Sequence, residues 1–109
     1  MSDIQALERD IENAKAVVAQ RDMALKLSEN REFRKLIIEG FLRDEAARYV
    51  HISTDPSLSA QDRADALASA QAAGHLKRWL NAIIRMGDAA ASGLVEAEQA
   101  LDEMRAAEA

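Results

Sequence analysis

His51 and His75 are the only histidines of this 109-residue chain, and the absence of cysteine excludes disulfides, thiolate metal sites and thiol redox chemistry. A helical metal site needs a second ligand three or four residues from the first, on the same face. Neither histidine has a His, Asp or Glu at that spacing within unbroken helix: Asp55 follows His51 by four residues, but Pro56 disfavours helical geometry at Asp55. His51 reads as a residue near a helix C-terminus, favoured there by the negative end of the dipole, and His75, beside Lys77 and Arg78, as surface or interface. The carboxylates of Asp44 and Glu45, Glu96 and Glu98, or Asp102 and Glu103 could serve acid-base or divalent-ion chemistry only by converging. Successive helical residues point about 100° apart, so these groups read as solvated faces. No Gly-x-Ser-x-Gly elbow, glycine-rich phosphate loop or recognisable Ser/His/Asp set is present. The sequence therefore names no catalytic, cofactor-binding or metal-ligating residue, and the expectation is a protein that is not an enzyme.

Charge and hydropathy narrow the partners. Fourteen basic against nineteen acidic residues give a net charge of −5, which argues against general affinity for nucleic acid or an anionic membrane. Arg31, Arg34, Lys35, Arg43 and Arg48 gather in one stretch, but acidic residues interleave them and the two ends of the chain are acidic. No apolar run approaches the ~20 residues of a membrane span. The opening MSDIQALERD has neither a basic n-region nor an apolar h-region, so no classical export signal is expected.

The elements that must carry any site are helices. Ala, Leu, Glu, Arg, Gln and Met dominate a chain with one proline and four glycines, and no stretch reads as β-structure. Ile4, Leu7, Ile11, Ala14, Val18 and Leu25 recur in alternating steps of three and four, with Arg21 the one interruption. Residues 3–28 thus read as an amphipathic helix with a coiled-coil seam, N-capped by Ser2. The run Ser28, Glu29, Asn30 favours a tight connection, and a second helix follows over residues 31–52. Residues 53–57, with Pro56, form the strongest break, after which Ser59 opens a capping-box-like start to a third helix. That helix spans about residues 60–106, with Gly74 and Gly87 as candidate bends. Its seam is Leu76, Leu80, Ile83, Gly87, Ala90, Leu94, Ala97, Leu101 and Met104. At 1.5 Å per residue the first and last seams are about 37 and 42 Å long, matched well enough to pack along their length.

The expected fold is all-α: a single helical domain over residues 1–109, arranged as an elongated antiparallel bundle or hairpin of three main helices with coiled-coil-like seams. In an ideal α-helix, Phe33, Leu36, Ile37, Gly40, Phe41 and Ala47 make one face of the central helix, and Ile38, Leu42 and Tyr49 gather nearly opposite. Core packing is expected from Phe33, Ile37, Phe41, Trp79, Leu80 and Ile83. The second face then needs cover, so Ile38, Leu42 and Tyr49, rimmed by Arg34, Lys35, Arg43 and Arg48, are the candidate interaction residues, and self-association the economical way to cover them. Those two apolar faces leave too little free surface for a groove-reading helix, so direct nucleic-acid binding is not expected.

The segments NREFRKLIIEGFLRDEAARYV, DPSLSAQDRADAL and AAGHLKRWLNAIIRMG together resemble a group of small all-helical tailed-bacteriophage proteins, over about residues 5–105. The shared motifs are packing patterns and not active-site signatures. The resemblance implies a virion component or morphogenesis accessory, located in the virion or the host cytoplasm. It would act by contact with itself as a homo-oligomer, with other phage structural proteins, or with both. Two alternatives accompany this reading: a small acidic helical inhibitor of a host or phage enzyme, with the acidic ends as its working surface, and a transient scaffold or assembly chaperone.

Overall fold

Capping chemistry sets the helix boundaries in the computed structural model, which describes residues 2–109. The N-terminal helix, Asp3–Glu29, opens with a reciprocal capping box. The Gln5 amide donates to Ser2 Oγ at 3.1 Å, and the Ser2 amide donates to Gln5 Oε1 at 3.2 Å. The central helix, residues 31–53, begins at Asn30, whose side chain accepts from the Phe33 amide at 2.8 Å. At its end the hydroxyls of Ser53 and Thr54 donate to the carbonyls of Val50 and His51. Asp55 then accepts from both the amide and hydroxyl of Ser57, at 2.9 and 2.7 Å, holding the turn around Pro56. Ser59 Oγ accepts from the Asp62 amide at 3.0 Å and starts the C-terminal helix, Ala60–Glu108. This last helix is continuous through Gly74, Gly87 and Gly93. Among the described residues there is no strand, and the all-α class is as the composition implies.

The folded chain divides into two compact units that share the C-terminal helix. One is the chain up to Leu25 together with Ala82–Ala109, and the other is Lys26–Asn81.

In the first unit, the N-terminal helix and the second half of the C-terminal helix pack antiparallel. Three cross-helix ion pairs give the register: Glu8 with Arg105 at 3.1 Å, Lys15 with Glu98 at 3.9 Å, and Arg21 with Asp88 at 3.0 Å. The seam lies between them, and Ile11, Ala24, Ile83, Gly87 and Leu101 are its buried residues. In this unit every expected seam position of the C-terminal helix, from Ile83 to Met104, is buried or half-buried. The N-terminal seam differs at its end. Arg21 occupies the seam instead of breaking it, and a three-residue step leads on to Ala24, which rotates Leu25 out to 40% exposure. Arg21 can sit there because Gly87 lies opposite. A Cβ on Gly87 would stand 2.1 Å from the Arg21 Cβ.

The second unit holds the central helix and the first half of the C-terminal helix. Ala66 and Ala73 are its buried residues, the latter 1% exposed, so this Ala-rich stretch is a close-packing stripe. The central helix departs from ideal α geometry: residues Arg34–Glu45 form a π-helix, with i→i+5 bonding of the kind that carries the Ala46 amide to Phe41 O. The spacing of its apolar residues explains what this winding achieves. Phe33, Ile37, Phe41, Glu45, Tyr49 and Ser53 form a strict i+4 row, which an α-helix would carry around its axis by about 40° per step. More residues per turn cancel that drift, and all six are half-buried on one side.

This corrects the two-face reading. Tyr49, about 160° from Phe33 in an ideal α-helix, joins the same row. Leu42 is half-buried, and Ile38 stays 37% exposed. Leu36 and Ala47, expected on the core face, are instead exposed, Leu36 at 71%. Trp79, also expected in the core, is 56% exposed. A helix packed on one neighbour buries one stripe, and Leu76 and Leu80 already occupy it in this unit.

Candidate interaction site

The residues singled out on the central helix separate into two groups. Arg43, Arg48 and Tyr49 are engaged locally: Arg43 Nε donates to Asp44 at 2.9 Å, Arg48 pairs with Glu45, and the Arg48 guanidinium lies 4.9 Å from the Tyr49 ring centroid. The hydrogen bond from Arg43 lowers the Asp44 carboxyl below its ordinary range, and that from Arg48 does the same for Glu45. Beside them Asp44, Ala47, Arg48, His51, Ile52 and Asp55 line an open hollow. Arg34 and Lys35 are different. With Arg31 and Glu39 they line a second hollow near the helix start, and among the described residues none of these three cations forms an ion pair or hydrogen bond. Leu36, the next residue, is the most exposed large apolar side chain described.

The connection at Pro56 supplies a pH signature. Hydrogen bonds from the Ser57 hydroxyl and then its amide depress the Asp55 carboxyl. A lowered folded pKa contributes stability above the unfolded carboxylate range, near pH 4, and loses it as pH falls through the folded value. The thermal midpoint should therefore hold from neutrality to about pH 5 and fall below about pH 4. Asp55→Ala should make that acid fall shallower, as read by circular dichroism melts across pH.

Sequence reasoning missed a groove in the first unit. Its floor is Ile11 and Leu101, its walls are Glu8, Glu12, Glu98 and Asp102, and Lys15 and Arg105 close its sides. Four carboxylates against two cations leave it net negative. Lys15 approaches Glu12 at 3.7 Å and Glu98 at 3.9 Å, and Asp102 has no ion-pair partner among the described residues. Heptad arithmetic held the signal, because Glu8, Glu12 and Lys15 flank seam residue Ile11 at i−3, i+1 and i+4.

No known protein family, curated protein or solved structure matches the chain. Among the described residues, no group of three or more His, Asp or Glu could hold a metal ion, and no helix is long and apolar enough to cross a membrane.

Val95 is 70% exposed, Met23 61%, Met86 59% and Trp79 56%.

Proposed function

We propose that this chain is a non-enzymatic structural or assembly protein of a tailed-bacteriophage particle, acting through protein-protein contacts as a homo-oligomer. The observation that carries the reading is the exposed apolar surface: large side chains such as Leu36, Val95 and Met86 stand in solvent in both units, on helices that bury a single stripe each. Large contiguous apolar patches are uncommon on monomers and mark interaction sites. The phage context rests on the resemblance of residues 5–105. Helices without a constellation of chemical groups suit a role in which complementary surfaces, not reacting atoms, do the work.

Light scattering coupled to size exclusion at micromolar concentration should give a mass of at least two chains of 11.9 kDa. Leu36→Glu should shift the mass toward one chain without loss of helix signal, because Leu36 contributes little to its own unit's core. A monomer throughout the micromolar range would sink the oligomeric reading. Mass spectrometry of purified particles and their precursors tests the phage role, which fails if the chain is in neither.

A further inference from the structure

Charge is divided unequally between the two units. The first carries five basic and eleven acidic residues, net −6, and the second nine basic and eight acidic, net +1. Contact between two copies through their first units would bring −6 against −6. Contact between unlike units brings opposite signs together, and the local features match. The groove over Ile11 and Leu101 has two carboxylates in excess, and the hollow of Arg31, Arg34, Lys35 and Glu39 has two cations in excess. Those cations lie in the first turns of the central helix, where the positive end of the dipole makes unpaired positive charge unfavourable. Leu36 projects beside them as an apolar anchor, 71% exposed.

Building on the homo-oligomer reading, we infer that copies of this chain dock by unlike faces: the acidic groove of one copy receives the Arg34, Lys35 and Leu36 corner of a second. Each chain then uses two patches, one given and one received. Patches of about 800 Å² each would cover about 1,600 Å² per chain, the area of a standard specific interface. Carboxylates of the groove satisfy the free cations, Leu36 gains apolar cover, and like-signed faces are kept apart. The contact is heterologous, one face of each copy meeting a different face of the next.

Salt separates this contact from a purely apolar one. Between about 0.05 and 0.5 M sodium chloride, screening should weaken association of the full chain about tenfold or more, whereas burial of apolar faces alone would hold or tighten. Two double variants test the residues: Arg34→Glu with Lys35→Glu, and Glu98→Lys with Asp102→Lys. Each alone should be monomeric by light scattering, because it sets like charges face to face. An equimolar mixture should associate again, since each variant then offers the other two complementary contacts. Helix content and melting midpoint close to the parent's establish that the variants fold. Were either to misfold, the salt titration of the parent still decides. Variants that stay assembled alone, a mixture that stays monomeric, or parent assembly insensitive to salt would overturn unlike-face docking while leaving the homo-oligomer standing. A parent that is monomeric at low salt would overturn both.

Discussion

Gly87→Ala should destabilise the protein by about 2 kcal/mol or more and lower its melting midpoint by about 10 °C, although alanine is the better helix former. Intrinsic propensity alone predicts the opposite sign, a gain of about 1 kcal/mol per Gly→Ala in a helix interior. Packing decides against it, because the added Cβ would lie 2.1 Å from Arg21 Cβ, with Arg21 Cγ and Cδ at 2.7 and 2.8 Å. The nearest of these atoms is fixed to the backbone, so rotation of the Arg21 side chain cannot relieve the clash and the two helices must separate. The control lies six residues on. Gly93 is exposed and a Cβ there meets nothing within 4 Å, so Gly93→Ala should stabilise by up to about 1 kcal/mol. Opposite signs at two glycines of one helix, in chemical denaturation at fixed protein concentration, check the close approach. A stabilised Gly87→Ala would refute it.

Ile11→Ala and Leu101→Ala should each cost about 3 kcal/mol, within the 2–5 kcal/mol usual for truncating a buried aliphatic side chain. Ile11 is 4% exposed and Leu101 7%, and they share the groove floor. The first unit has few other buried residues, so either loss is a large part of a stability of ordinary size. Because both truncations open the same space, the double variant should lose less than the sum of the singles. Trp79→Ala, at 56% exposure, should change stability by only about 0.5 kcal/mol. Denaturant midpoints for the four variants measure all of this, and a Trp79 effect as large as that of Ile11 would contradict its place outside the core.

The candidate interaction residues were only partly legible. Arg34 and Lys35 are exposed, whereas Tyr49 and Leu42 are half-buried because the π-helical turns bring the central helix's apolar residues toward one side. An assumed 100° per residue had placed Tyr49 opposite Phe33. On the same 100° wheel Leu36 shares the Phe33 face, yet it is the most exposed large apolar residue described.

What the sequence by itself determined is local or periodic. Ser2, Asn30 and Ser59 bond amides within three residues of themselves, so the starts of the helices follow from neighbours in the chain. The seam from Leu76 to Met104 follows from a heptad that any antiparallel partner would bury. Only the tertiary structure decided which residues meet across that seam. Arg21 looked like an interruption until Gly87 was found opposite, giving its stem space and its guanidinium the Asp88 carboxylate. Likewise the acidic groove needs two helices at one register, and the π winding of the central helix is seen only in its folded backbone. Contacts between residues 66 or more positions apart leave no periodic trace in either segment alone, which is why packing had to be seen before the surfaces could be read.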